Sequence, residues 1–325
     1  MASNSFNGIP VLLIGYSRIN HIRRCIVQLQ NLGITTIFLS LDFSEDASIR
    51  HKQQILLEEL GDASQRDGFS VVVWQRTRNH GVGVGVITAL DWFFHFNEKG
   101  IVLEDDLVFD ENFLEFCSIA FEKYQNVNEI LMVSGNRFDH SSTVSGVVAT
   151  NYPQIWGWAS TRDKWLDIRM LILEEKRMRI GDVLNPTIAF FYSGAKLAQI
   201  GRVDTWDTPL AYEMLIRKKM CVLPDFNLVE NIGVDQYAAH TRESSFPLNF
   251  PIMASRIKDK SQLPTFDELE LTTGKTNLFL ERAVFKIKKR HVLSPLKLWV
   301  RSRGRSESKS KSLVMRLEEA ETFVR

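Results

Sequence analysis

The chain has 325 residues, 44% hydrophobic and 24% charged, which is enough to bury one large core or two modest ones and excludes disorder as the main state. The formal net charge is only +1, yet residues 281–325 carry 13 Lys/Arg against 5 Asp/Glu, leaving 27 against 34 in the first 280. A basic end on an acidic body argues against a nucleic-acid enzyme and for a tail that meets an anionic lipid surface or a polyanionic chain, with a merely solubilising tail as the plain alternative.

Over the first 140 residues, short β-branched runs alternate with longer segments of 3.6-residue period. This is the pattern of an α/β protein with a mostly parallel sheet and crossover helices. In chain order, strands are expected at Val11–Gly15, Ile37–Leu41, Ser70–Trp74, Gly100–Leu103 and Ile130–Ser134, and helices at Asn20–Leu32, Ala47–Leu60, Gly85–Asn97 and Glu111–Tyr124. The first apolar run, Ile9–Ile14, is too short for a secretory signal, and no stretch approaches the roughly 20 apolar residues of a membrane span. A cytoplasmic location is therefore expected. Cys25, Cys117 and Cys221 are odd in number and lack paired spacing, so they read as buried free thiols rather than a disulfide framework.

From Asn151 the texture turns aromatic and irregular. A helix is expected near Leu171–Ile180 and a strand at Cys221–Leu223. Leu263–Gly274 reads as a polar linker, Asn277–Lys289 and Leu296–Arg301 as basic amphipathic segments, and RSRGRSESKSKS (301–312) as a low-complexity stretch before a short charged helix.

The sharpest chemical feature is GIVLEDDLVF, in which Glu104, Asp105 and Asp106 close an apolar strand. Carboxylates crowded at a strand end resist ionisation unless a cation neutralises them. A hard ion such as Mn²⁺ or Mg²⁺, bound through one or two carboxylates plus substrate phosphates, suits that place and a diphosphate leaving group. A surface acidic turn, or a charge cluster at the N-terminus of the next helix, is the alternative.

RTRNHGVGVG (76–85) has neither the G-x-G-x-x-G spacing nor a following Gly-Lys-Ser/Thr, which counts against dinucleotide and P-loop mechanisms. It reads as a loop whose Arg78, Asn79 and backbone amides approach a donor, or simply as a lead into a helix. In YPQIWGWAS, Trp156 and Trp158 offer flat faces to sugar rings and Gly157 lets backbone come close, although tryptophans are also common core fillers.

The order of these parts, VLLIGYSR, a strand ending in Asp42, RTRNHGVG, LEDDLVFDENFLEF, YPQIWGWAS and NLVENIG…HT, resembles the GT-A class of glycosyltransferases over roughly Pro10 to Thr241. Within that class it is similar to the group of N-acetylglucosaminyltransferase I and the bacterial haemolysin-like sugar-nucleotide transferases. The resemblance implies a GT-A fold in 1–262, with a nucleotide-sugar-binding half (1–140) and an acceptor-side half (141–262), and a basic, helical C-terminal extension in 263–325. It implies a metal on Asp106, ribose at Glu104 and donor sugar at Asp105, with the base read by Gly15, Tyr16, Ser17, Arg18 and Asp42. For Asp42 a helix or turn cap is an equal alternative.

The resemblance further implies Asp207 as the base that deprotonates the acceptor. This chain has W-D-T-P where the resembling enzymes read W-D-D-W, a departure that leaves Asp204 and Glu213 as alternatives. It also implies that His240 returns to the metal or diphosphate. The expected activity is Mn²⁺- or Mg²⁺-dependent, inverting transfer of a hexosyl or N-acetylhexosaminyl group from a nucleoside-diphosphate sugar, UDP-linked, to a glycan or lipid-linked acceptor in cell-surface polysaccharide synthesis. Peripheral contact with an anionic membrane through the basic tail is part of the same expectation. The rivals are a non-catalytic sugar-nucleotide-binding relative and, less well matched, a nucleotide-dependent oxidoreductase, whose opening turn would need glycines that GYSRIN lacks.

Overall fold

The computed structural model describes residues 8–63, 69–137, 146–178, 182, 184–233, 252–253, 255–269, 287–295 and 311–320. The protein is α/β, with a mostly parallel central sheet flanked by helices on both faces. Strands β1 (Val11–Gly15), β2 (Thr36–Leu41), β3 (Ser70–Gln75) and β4 (Lys99–Glu104) alternate with helices α1 (Ile19–Asn31), α2 (Ala47–Ala63) and α3 (Gly81–Phe96). There follow β5 (Leu107–Phe109), α4 (Glu111–Tyr124), β6 (Ile130–Ser134), β7 (Val148–Thr150), β8 (Trp158–Thr161), α5 (Arg162–Leu173), α6 (Pro186–Gln199), α7 (Asp207–Arg217), β9 (Met220–Leu223), β10 (Val229–Asn231) and α8 (Leu313–Glu318).

Eight strands form one sheet in the order β3-β2-β1-β4-β8-β6-β9-β7, and β5 pairs with β10 in a separate ribbon. The block β3-β2-β1-β4 is parallel, and β8 runs antiparallel between β4 and β6. Successive residues of one strand serve opposite layers. Val11 and Leu13 pack beneath α1, α2 and α4, whereas Leu12 packs among α3, α5 and α7. Burial on both faces is why these strands read as unbroken apolar runs rather than as alternations. β3 departs from this: as the sheet edge it leaves Val72 and Val73 exposed.

The expected strands and the four early helices are present to within a few residues at their ends. The largest shift is at α3, which starts at Gly81 rather than Gly85. Its first turn is capped from far along the chain: Asp204 Oδ2 accepts from Val82 N at 2.8 Å and Asp204 Oδ1 from Gly83 N at 3.1 Å. A tertiary carboxylate thus overcomes the poor helix propensity of the glycines.

The helix expected near Leu171–Ile180 is misplaced: α5 begins at Arg162, with the Thr161 side chain accepting from Lys164 N, and ends at Leu173, so that 174–178 are not helical. Two further helices, α6 and α7, occupy what the sequence presented as mixed structure. α6 opens on an Asn185 cap followed by Pro186, an N-terminal signature visible in the sequence. Of the expected linker, Leu263–Leu269 is described and packs on α4: Leu263 and Leu269 are in the core and Tyr124 Oη donates to Pro264 O. The three cysteines are buried free thiols.

Lys176 and Glu213 form a buried ion pair at 3.2 Å, and Arg217 Nε donates to the second Glu213 oxygen at 2.8 Å. Burial lowers the Lys176 pKa and Glu213 opposes that shift. Breaking a buried pair from one side leaves an uncompensated charge. Glu213→Ala is expected to lower unfolding free energy by about 3 kcal/mol in urea titration. A loss well below about 1 kcal/mol would show that Lys176 finds water instead.

Candidate functional site

The carboxyl ends of β1, β2 and β4 open on one cleft of about 820 Å³. Register places them together: Ile14 lies beside Glu104 and Gly15 beside Leu41. The chain beyond each end is tied to β1, with Asp105 N donating to Ile14 O at 3.1 Å and Asp42 N to Gly15 O at 3.0 Å. Carboxyl ends of parallel strands are where a doubly wound sheet leaves room for a ligand.

Glu104, Asp105 and Asp106 all line the cleft. Arg18, from the β1 loop, holds Asp106 Oδ2 at 2.7 Å and stands 3.9 Å from Asp105 Oδ1. Its second arm donates to Gly233 O at 2.8 Å. The β5–β10 ribbon brings Asn231 and Gly233 to the acidic run, with Asn231 Nδ2 donating to Asp106 Oδ1 at 3.4 Å and Ile232 N to Asp106 O at 2.9 Å.

Positive charge is scarce here. Burial, then Asp106, Asp105 and Asp207, push the Glu104 carboxyl up to about 8 against the pull of Arg18. Burial and Asp106 push Asp105 up to about 7, again opposed by Arg18 and by the Tyr16 amide. Burial is the first cause of both shifts, and the crowding of like charges adds to it.

Gly15, Tyr16, Ser17, Asp42, Asn79, Trp156 and Asp207 also line the cleft. Asp42 accepts from His80 N and Phe43 N, so the turn-cap reading is realised while burial still raises its pKa. The amides of the 78–83 loop are taken by side chains: His80 N by Asp42, Gly81 N by Asn79, and Val82 N and Gly83 N by Asp204.

Arg78, Gly157 and Trp158 do not line the cleft. Arg78 donates to the Glu319 carbonyl on α8. Gly157 has φ +68° and its carbonyl accepts from Gly135 N at 2.8 Å, so it serves the backbone turn before β8. Trp158 is 1% exposed and stacks on Trp206 at 6.0 Å between ring centroids. It is the core filler that its residue type allowed, and it holds the residue next to Asp207. His240 lies outside the described residues.

Asp207 stands in the first turn of α7, where the helix dipole favours a carboxylate. The Thr205 hydroxyl donates to it, and Thr208 Oγ1 is 3.5 Å away. Of its two alternatives, Asp204 also lines the cleft but is engaged in capping α3, and Glu213 is buried against Lys176.

Sequence reasoning passed over Arg76, Ser40, Asn231 and Gly233, which also line the cleft. Arg76 is 2% exposed, lies 3.5 Å over the Trp74 ring and donates to Thr88 Oγ1 at 2.8 Å. An arginine directly after an apolar strand was its one available signal. Asn231 and Gly233 stand inside the NLVENIG segment that the resemblance had already singled out.

No known sequence family matches the chain, and no curated relative does. Its likenesses among solved structures are distant. The apo-form glycosyltransferase GlyE of Streptococcus pneumoniae TIGR4 is 14% identical, with a TM-score of 0.33 over 93% of this chain and 66% of that one. HddC from Yersinia pseudotuberculosis is 13% identical, with a TM-score of 0.31 over 48% of this chain and 77% of that one. A Bacillus anthracis protein assigned as a glucose-1-phosphate thymidylyltransferase, solved with sucrose, is 14% identical, with a TM-score of 0.33 over 55% and 81%. Function is therefore read from the cleft.

The two tryptophans separate packing from the cleft. Trp158→Ala is expected to cost about 3–5 kcal/mol of stability in chemical unfolding, the range for an emptied aromatic core site. Trp156→Ala, half-buried at the cleft wall, is expected to cost less than half of that. Equal losses would contradict the assignment of Trp158 to the core and Trp156 to the cleft.

Proposed function

We propose that the chain is a GT-A-type glycosyltransferase that moves a hexosyl or N-acetylhexosaminyl group from a nucleoside-diphosphate sugar, UDP-linked, to the hydroxyl of a glycan or lipid-linked acceptor. Inversion at the anomeric carbon and a place in cell-surface polysaccharide synthesis belong to the same reading. The observation that carries it is the meeting of Glu104, Asp105, Asp106, Arg18 and Asp207 in one cleft of about 820 Å³. That size suits a ligand with two phosphates and a sugar.

The residues fit Mn²⁺ or Mg²⁺ in donor chemistry. The acidic run presents only oxygen ligands, and its carboxyls crowd one another in a buried place. Among the described residues, no three or more His, Cys, Asp or Glu side chains form a closed metal site. Mg²⁺ commonly keeps one or two protein carboxylates and takes the rest of its shell from phosphate and water. Asp106 would hold the ion, with His240 as the candidate second ligand. When bound, the ion supplies charge stabilisation at the diphosphate leaving group.

The chain's own residues divide the remaining work. Arg18 offers a guanidinium on the same wall, suited to phosphate oxygens. Glu104 is assigned to the ribose and Asp105 to the donor sugar, while Tyr16, Ser17 and Asp42 border the end assigned to the base. Trp156, half-buried in the cleft wall, has a flat ring that suits the apolar face of a sugar. Asp207, oriented by the Thr205 hydroxyl, takes the acceptor's proton as the acceptor oxygen bonds to the anomeric carbon and the bond to the diphosphate oxygen breaks. Peripheral attachment to an anionic membrane through the basic C-terminal segments completes the proposal. Among the described residues, no helix is long and apolar enough to cross a membrane.

The test is turnover on a panel of nucleotide sugars, followed as release of nucleoside diphosphate. Asp207→Asn is expected to lower kcat by about 10²- to 10⁴-fold while the donor Kd stays within about twofold. Unchanged kcat would move the base elsewhere, and no turnover of any nucleotide sugar by the wild type would contradict the reading.

A further inference from the structure

One wall of the cleft is the loop that leads into α3, and its last turn is held by the far end of the chain. Arg316 on α8 reaches two points of that wall. Its Nη1 lies 3.0 Å from Asp204 Oδ1, and its Nη2 donates to His80 O at 2.9 Å. The same Asp204 carboxylate accepts from Val82 N and Gly83 N. Arg78, two residues earlier in the loop, donates to the Glu319 carbonyl at the end of α8.

A six-residue helix has little stability of its own, so α8 must be held by what it touches. Leu313 is 2% exposed and belongs to the core cluster that includes Val84 and Trp206, with Leu317 and Ala320 packed against it. At Gly81, φ is +72° and a side chain would collide with Asp204 and come within 3.4 Å of Arg316. Loop, carboxylate and guanidinium are thus fitted together without room for a larger residue. Gly81, Val82, Asp204 and Asn79 all face the cleft.

We infer that α8 is a built part of the cleft wall and that Arg316 is a positioning residue, which fixes the first turn of α3 through Asp204 and His80 and thereby sets affinity for a nucleoside diphosphate. The ligand half of this statement rests on the function proposed above, and the wall half does not. The geometry gives the distant basic end a second task beside any membrane contact: one arginine of that end shapes the cleft itself.

The experiment uses the full chain as wild type, Arg316→Ala and Arg316→Lys. Amide hydrogen exchange is first read residue by residue by NMR without ligand, and UDP is then titrated with Mn²⁺ present. For a half-exposed ion pair, Val82 and Gly83 amides are expected to exchange about three- to fivefold faster in Arg316→Ala, with β1 and α4 unchanged. The UDP Kd should weaken by a similar factor, and Arg316→Lys should recover part of both effects. Unchanged exchange at Val82 and Gly83, or a rise spread evenly over the chain, would overturn the inference. Faster exchange at α3 with no UDP binding by any form would keep α8 as the wall's brace and remove the nucleotide reading instead.

Discussion

Everything at the cleft turns on an imbalance of charge. Three consecutive carboxyls close β4, a fourth at Asp207 is near enough to raise Glu104, and Arg18 is the guanidinium that engages the run. Burying like charges together costs free energy that folding must offset elsewhere. The surrounding fold is arranged to bear that cost: the β5–β10 ribbon brings Asn231 to Asp106, and the Tyr16 amide faces Asp105. That crowding of carboxyls is what motivates the proposal of a divalent cation and an anionic ligand at this place.

The sheet explains why these groups meet. Parallel strands β1, β2 and β4 end at one edge, so loops far apart in sequence share a single opening. The antiparallel β8 then folds the second half of the chain back onto β4, and its Trp158 stacks on Trp206 to set the start of α7 and with it Asp207. Packing at Trp158 is therefore linked to the placement of Asp207 without Trp158 touching the cleft.

Much of this was legible in the sequence. The strands and helices of the first 140 residues follow from periodicity because both sheet faces are buried and local and tertiary preferences agree. Glu104, Asp105, Asp106, Arg18, Asp42 and Trp156 do converge on one cleft. Less could be read where tertiary contacts decide. The Asp204 cap that moves the start of α3 comes from more than 100 residues away, and no local rule finds it. Trp156 and Trp158 are two residues apart on the same strand approach, yet one faces the cleft and the other the core, which residue type alone does not distinguish. The contacts of Arg316 depend on where a distant short helix lands.

The central claim is that the acidic run holds a divalent cation together with a nucleoside diphosphate. Calorimetric titration of UDP into the wild type and Asp106→Ala, each with Mn²⁺ and with EDTA, tests it most directly. The account predicts binding that requires Mn²⁺ and is lost in Asp106→Ala. Nucleotide binding of equal strength in EDTA and in the variant would contradict it.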